Sequence, residues 1–160
     1  MNRAIDLLQY IIWADNKISS LLEKLEPEEL NKSFSETSGT IKQKLKHLAE
    51  EYIAWLFDIK SESWKEEIDR IKSMDCSELI GQMRKTLQEW IDFVHDTGKE
   101  KFLIDEGDFI VPIELDEVVF NLVNHSSYHR GQIVLFLRIL RYEVNITDYY
   151  WYRINQLNLS

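Results

Sequence analysis

Two histidines lie four residues apart in the segment N-H-S-S-Y-H-R-G-Q, which runs from Asn124 to Gln132. On an α-helix, residues i and i+4 face the same way, with Cβ atoms about 5–6 Å apart. His125 and His129 can therefore direct their imidazoles at one metal ion, about 2.0–2.1 Å from each nitrogen. The pair lies on an apolar stripe, where an unsatisfied polar group costs about 1–3 kcal/mol. The spacing indicates either a metal site or two core histidines satisfied by hydrogen bonds.

The two remaining histidines could complete such a site, and their spacing does not choose between them. His47 lies beside the centre of a helical stripe, next to Glu50 and Glu51, and by itself has the pattern of a half-exposed surface residue. His95 ends a predicted helix, where the helix dipole favours a cation without any metal. The motifs H-E-x-x-H and E-x-x-H do not occur in the sequence, which argues against a zincin site and a di-iron bundle site.

Composition excludes several classes of function. The net charge is -9 and the pI is about 5.0, so the chain lacks the Lys and Arg excess that nucleic-acid binding and anionic membranes require. No apolar run approaches the roughly 20 residues that span a bilayer. The single cysteine, Cys76, cannot form an internal disulfide, and we expect a cytoplasmic protein. At 160 residues, one domain over positions 1–160 is the simplest expectation.

Helical periodicity positions these residues on four long segments. Apolar residues at three- and four-residue steps predict helices over about Asn2–Leu25, Ile41–Lys60, Asp75–Thr97 and Asp116–Tyr142. The run D-C-S-E, which begins at Asp75, predicts a capping box. With only five glycines and two prolines, the pattern favours an all-α fold, a four-helix bundle.

The connecting segments carry weaker signals. Residues 102–104 and 109–111 are apolar and flank D-E-G-D, which predicts a small β-hairpin or an extended loop between the third and fourth helices. Pro27 is expected to end the first helical segment, and residues 28–40 to form a loop. A Ser/Glu/Trp loop is expected after Lys60. Near the C-terminus, T-D-Y-Y-W-Y predicts a short helix capped by Thr147.

Three segments together resemble the DinB-like family. The first is N-H-S-S-Y-H-R-G-Q-I, followed by L-R-I-L-R-Y and T-D-Y-Y; the second is Y-I-I-W-A-D-N, similar to a Tyr-x-x-Trp-Ala-Asn opening. The third, I-K-Q-K-L-K-H-L-A-E-E-Y-I-A-W-L, is similar to a second helix in which a His precedes a Trp by about two turns. These bacterial four-helix-bundle proteins are named for a damage-inducible member and are often described as metal-dependent hydrolases.

The resemblance implies a divalent metal held by His47, His125 and His129, and leaves His95 out. Three protein ligands leave an open position, as in catalytic sites. Zinc, nickel, iron and manganese are all compatible with three imidazoles. The wider superfamily includes transferases and isomerases that use low-molecular-weight thiols of the bacillithiol or mycothiol type. The resemblance therefore implies activation of water or a thiol toward a small electrophilic substrate, and makes a homodimer plausible.

Further residues complete the hypothesis. Asp15 lies on the core face of the first helix and could orient a ligand imidazole, or could be a buried carboxylate bonded to a tyrosine or amide. Arg130 is expected to point away from the histidines and to form a structural ion pair. Many relatives carry a histidine where this chain has Asn121. The alternative function is a non-catalytic stress or binding protein in which any metal is structural.

Overall fold

The computed structural model describes residues 2–35, 37–105 and 107–157, which form a mostly helical fold with a small two-stranded sheet. The elements in chain order are α1 (Arg3–Leu22), α2 (Pro27–Leu30), α3 (Ile41–Lys60), α4 (Lys65–Ile71), α5 (Cys76–Asp96), β1 (Lys101–Asp105), β2 (Ile110–Glu114), α6 (Leu115–Ile139) and α7 (Tyr149–Gln156). Over the described ranges, none of the helices combines the length and the apolar character that crossing a membrane requires.

The four long helices, α1, α3, α5 and α6, are the four helices that periodicity predicts. Helix α1 packs against α5 and α6, and α3 packs against the same two helices. The four long helices therefore surround a common core. The predicted stripe of the first helical segment is buried throughout: Ala4, Leu8, Ile11, Ile18, Leu22 and Leu25. Burial of such stripes is the main source of helix stability in a folded protein.

Helix starts follow local capping chemistry. The Thr40 side chain caps α3, and the predicted capping box at Asp75 caps α5, with the Glu78 backbone N–H donating to Asp75 at 2.9 Å. Helix α6 begins at Leu115, one residue before the predicted start at Asp116. The cap is Glu114, whose backbone N–H donates to the Glu117 carboxylate at 2.8 Å. The last helix is likewise preceded by Asp148 rather than Thr147.

Two short helices replace predicted loops. Pro27 does not end a helix but begins α2, at the first helical position, where its missing N–H costs nothing. Helix α4 forms within the predicted Ser/Glu/Trp loop. Each short helix has an apolar anchor in the core, Leu30 and Ile71 respectively. Tertiary burial of these anchors stabilises helices too short to form in isolation.

The hairpin between α5 and α6 takes the strand alternative of the prediction. Strands β1 and β2 pair antiparallel, with Leu103 opposite Pro112, and Phe102 is buried on the side that faces the helices. Gly107 turns the chain at a φ of 82°, in the left-handed region that suits glycine. Glu106, in the same predicted turn, lies outside the described residues. The hairpin contacts both α3 and α6, the helices that carry the histidines.

Candidate metal centre

Three histidines meet between α3 and α6. His47 comes from α3, and His125 and His129 come from consecutive turns of α6. One ring nitrogen from each can be chosen so that all three lie within 4.8 Å of one another. The Nε2 atoms of His47 and His125 are 3.1 Å apart. The ring centroid of His129 lies 4.6 Å from that of His47 and 4.6 Å from that of His125.

The surroundings of His125 and His129 favour their neutral form. Burial lowers the pKa of His125, an effect that the nearby Glu51 carboxylate opposes and the His47 ring reinforces. Burial also lowers the pKa of His129, against a hydrogen bond to Gln132 that raises it. A metal ion binds only the deprotonated ring nitrogen, so histidines that are neutral near pH 7 release no proton on binding. The cluster therefore has the donor chemistry of a transition-metal site.

Gln132 orients one of the three rings. Its amide oxygen lies 2.8 Å from Nδ1 of His129, which must donate the hydrogen because a carbonyl oxygen only accepts. The His129 proton is thereby held on Nδ1, and the Nε2 lone pair is left for a ligand bond. Sequence analysis assigned no role to Gln132, although its position three residues after His129 places it on the neighbouring turn.

Glu51 is a second residue that sequence analysis left without a role. It follows His47 by four residues on α3, and its carboxylate lies 3.9 Å from Nε2 of His125. The side chains of His125 and Glu51 are 28% and 29% exposed, so this edge of the cluster is open to solvent. The i, i+4 spacing from His47 was the available signal.

A buried polar network lies beside the cluster and ties three helices together. The Arg130 guanidinium donates to Asp15 at 2.8 Å and to the Tyr10 hydroxyl at 3.1 Å. The Tyr52 hydroxyl donates to the other Asp15 oxygen at 3.0 Å. Burial raises the pKa of the Asp15 carboxyl, while Arg130 and Tyr52 favour its ionised form. The network joins α1, α3 and α6 next to His129.

The network decides between the two hypotheses for Asp15. Its carboxylate partners in the described chain are Tyr52 and Arg130, so it is the tyrosine-bonded buried carboxylate rather than a direct partner of a ligand imidazole. The ion pair expected for Arg130 is the one that it makes with Asp15. Asp15 can position His125 and His129 only indirectly, through its ion pair with Arg130, which lies on the same helix as these two histidines.

Two other candidates lie away from the cluster. His95 is exposed at the end of α5, where its Nδ1 is 2.8 Å from the Asp96 carboxylate. Cys76 is buried at the start of α5, and its thiol donates to the Leu22 carbonyl at 3.7 Å. Burial raises the pKa of this thiol to about 11, which makes it a poor nucleophile near neutral pH. Neither residue contributes to the site.

The fold and the cluster define a class: a mostly helical protein in which three histidines from two packed helices could hold a metal ion. The DinB family model matches residues 1–157, and the chain belongs to the DinB family. It is 23% identical over 156 residues to Protein DinB of Bacillus subtilis (strain 168), covering 91% of both chains. A crystal structure of a protein assigned to the DinB family, from Exiguobacterium sibiricum 255-15, has a TM-score of 0.68, at 16% identity over 91% of this chain and 97% of that one.

Proposed function

We propose that the protein is a metal-dependent enzyme in which His47, His125 and His129 hold one divalent transition metal. The observation that carries this proposal is the convergence of three ring nitrogens, each within 4.8 Å of the others, from two packed helices. A bound zinc, nickel, iron or manganese ion would act as a Lewis acid that activates a water molecule or a low-molecular-weight thiol. The substrate would be a small electrophile, for hydrolysis or thiol transfer.

The residues fit this role. Lowered pKa values keep His125 and His129 in the neutral, metal-binding form, and Gln132 holds the proton of His129 on Nδ1, which leaves Nε2 for a metal ion. A three-histidine set leaves at least one open position, as in catalytic zinc sites. The partial exposure of His125 gives that position access to solvent and to a small molecule.

Glu51 supports the alternative, in which the metal is structural and the protein is a non-catalytic stress or binding protein. A carboxylate 3.9 Å from His125 could supply a fourth protein ligand and close the site. Three histidines and one carboxylate would then fill the tetrahedral positions of a structural zinc ion. The two functions therefore differ in whether Glu51 binds the metal.

Metal content tests the shared premise. The chain would be purified without a histidine tag and analysed by plasma mass spectrometry beside a His125→Ala/His129→Ala variant, with His95→Ala as the control for an exposed histidine. We expect about one equivalent of a transition metal in the wild type and the control, and none in the double variant. Absence of metal from the wild type, with none taken up on titration, would exclude both metal-dependent functions.

A second experiment separates catalysis from structure. Cobalt would replace the resident metal, and its visible spectrum would be recorded for the wild type and Glu51→Gln. An open site keeps the same spectrum in both, and adding a small thiol changes it. A site closed by Glu51 changes its spectrum on substitution and is insensitive to the thiol. In that case the His47→Ala variant should also lose much of its thermal stability.

The remaining parts of this proposal concern architecture and context. The four long helices would form a four-helix bundle of the DinB kind, with the hairpin as an insertion before its last helix. The protein would act in the cytoplasm, on small molecules rather than on nucleic acid or membranes, as its net charge of -9 favours. It would function as a homodimer.

A further inference from the structure

A groove of about 250 Å³ lies between α1, α7 and the segment that leads into α7. Its volume is just below the range of about 300–1,000 Å³ that is typical of pockets for drug-sized molecules, so it suits a small ligand. The three histidines and the buried network of Asp15, Tyr52 and Arg130 do not line it. We define the α1–α7 groove by two tryptophans, two isoleucines, two asparagines and one lysine: Trp13, Lys17, Asn145, Ile146, Trp151, Ile154 and Asn155.

The apolar walls of the α1–α7 groove remain open to solvent. Trp151 and Ile146 are 44% and 49% exposed, and Trp13 and Ile154 are half-buried. Apolar surface that stays exposed and continuous on a folded chain often marks a binding site. Indole rings present flat π faces, which pair with other aromatic rings at centroid separations of about 4.5–7 Å. The walls therefore favour a ligand with a flat aromatic body.

Lys17 supplies the charge of the groove. Its ammonium lies 5.2 Å from the ring centroid of Trp13 and forms no ion pair within the described ranges. No carboxylate is among the lining residues of this part of the structure. The whole chain carries 28 acidic and 19 basic residues, so a groove with a cation and no acid differs from the average surface. An unpaired ammonium favours an anionic group on the ligand.

The unpaired polar groups of the groove are mainly hydrogen-bond donors. The indole N–H groups of Trp13 and Trp151 have no acceptor in the described chain, whereas that of Trp90 donates to a backbone carbonyl at 2.9 Å. The side-chain amides of Asn145 and Asn155 also lack partners there. Ammonium and indole groups only donate, and each amide offers two donors beside its oxygen. This set complements a carboxylate, which only accepts.

Contacts outside the groove hold its walls in place. Tyr152 anchors α7, because its hydroxyl donates to the buried Asp6 carboxylate at 3.2 Å. The carbonyl of Thr147, next to Ile146, accepts from the Tyr10 hydroxyl at 3.0 Å. A ligand that enters a groove already formed loses less free energy to the ordering of the protein.

A second groove with an exposed tryptophan lacks this combination. Trp64 lines it together with Asp69 and Lys72, among others. The Trp64 indole N–H donates to the Asp58 carboxylate at 2.9 Å, and Lys72 forms an ion pair with Asp69. A carboxylate in the lining, and donors already bonded to carboxylates, make this groove a poorer site for an anion. It provides a matched control.

We propose that the α1–α7 groove binds a small aromatic carboxylate, with its ring against the indole of Trp151 and its carboxylate at the ammonium of Lys17. The aromatic body covers apolar surface that one chain leaves exposed, and the carboxylate accepts from donors that have no partner in the described ranges. Binding here requires neither a metal ion nor the three histidines, so it is independent of the proposed catalytic function.

Titration with naphthoate tests the site, with the uncharged naphthamide as the matched ligand. The indole N–H signals of the five tryptophans would be followed by NMR in nitrogen-labelled protein, with a chelator present to exclude binding to a metal ion. We expect naphthoate to shift the signals of Trp13 and Trp151, with a dissociation constant below about 1 mM, and to leave those of Trp55, Trp64 and Trp90 in place. Naphthamide should bind about 5-fold more weakly.

Three results of this titration would overturn the proposal. The first is no shift of either groove signal at about 10 mM naphthoate. The second is a shift confined to Trp64, which would assign binding to the other groove. The third is equal affinity for naphthoate and naphthamide, which would remove the role of the charge.

Substitutions test the two contacts separately. Lys17→Gln keeps most of the side chain without its charge, and should weaken naphthoate binding about 5-fold but leave naphthamide binding unchanged. Its control is Lys99→Gln, since the Lys99 ammonium also lies over a ring, 4.9 Å from that of Phe102, outside the groove. Trp151→Ala should weaken binding of both ligands about 10-fold, whereas Trp64→Ala, which changes a similarly exposed tryptophan (41%), should not. Naphthoate affinity that is unchanged in both Lys17→Gln and Trp151→Ala would refute the assignment to this groove.

Discussion

Replacing Arg130 with methionine tests the buried network that supports the histidine helices. Arg130 and Asp15 have side chains only 2% and 13% exposed, and their closest atoms are 2.8 Å apart. Methionine fills much of the volume but leaves the Asp15 carboxylate buried without its cation. Breaking a buried ion pair from one side costs about 3–5 kcal/mol. Asp15 still accepts a hydrogen bond from Tyr52 and remains slightly exposed to solvent. We therefore expect a loss of stability at the lower end of this range, about 3 kcal/mol.

The expected loss is large enough to measure in two ways. For a chain of this size, about 3 kcal/mol lowers the melting temperature by about 6–12 °C. With an m-value of about 2 kcal/mol/M, it shifts the urea midpoint by about 1.5 M. Helical circular dichroism would follow both transitions, with a chelator present so that differences in metal binding do not contribute. The control is Arg84→Met, which removes an exposed arginine bonded to Asn16 and should cost less than about 1 kcal/mol.

A double-mutant cycle separates the ion pair from the loss of packing. Asp15→Asn leaves Arg130 without its anion but keeps an oxygen that can accept from Tyr52. Each single variant therefore carries one unpaired charge, whereas Asp15→Asn/Arg130→Met carries none. We expect the double variant to be at least about 2 kcal/mol more stable than the sum of the single effects predicts. Additive effects of the two substitutions would refute this account of the network. An Arg130→Met variant as stable as Arg84→Met would refute it as well.

The stability that Arg130→Met loses relative to the wild type should depend on pH in a defined direction. Burial already raises the pKa of the Asp15 carboxyl, and removing Arg130 removes the cation that opposes this effect. The buried charge then destabilises the folded state above the folded pKa and is neutralised as the pH falls toward the unfolded value of about 3.9. The stability difference from the wild type should therefore shrink between pH 7 and pH 4. A difference that grows as the pH falls would contradict this reasoning.

Three further predictions concern single side chains. Burial raises the pKa of Cys76 to about 11, so at pH 8 it should react with iodoacetamide at least about 100-fold more slowly in the folded protein than in the urea-unfolded chain. Mass spectrometry would follow the reaction, and comparable rates in the two states would contradict the burial of this thiol. Gln132→Leu should weaken zinc binding about 10–100-fold in competition titrations, because the proton of His129 is no longer held on Nδ1; unchanged affinity would refute that role. Asp6→Leu removes the carboxylate that accepts hydrogen bonds from Tyr149 and Tyr152, so α7 should detach before the protein unfolds globally. Hydrogen exchange would then show faster exchange of the α7 amides, whereas unchanged protection of these amides would show that other contacts hold α7.

Local sequence rules account for the long elements of this fold. The four long helices follow from apolar residues at three- and four-residue steps, and the start at Asp75 follows from a side chain that bonds a backbone N–H three residues later. The pair His125 and His129 is also local, since one helix places both rings on one face. These features depend on neighbours within about one turn, which a sequence displays directly. The resemblance to the DinB-like family added His47 from a distant segment.

Contacts between distant segments decided the rest. Spacing alone does not choose between His47 and His95, and only the packing of α3 against α6 places the former beside His125 while the latter stays exposed.

Asp15 could face a histidine or a tyrosine, and the approach of Arg130 and Tyr52 from two other helices selected the network. Pro27 begins a helix because Leu30 has a place in the core. Each of these outcomes is set by which surfaces meet after folding, and a polar side chain takes the partner that burial leaves within its reach.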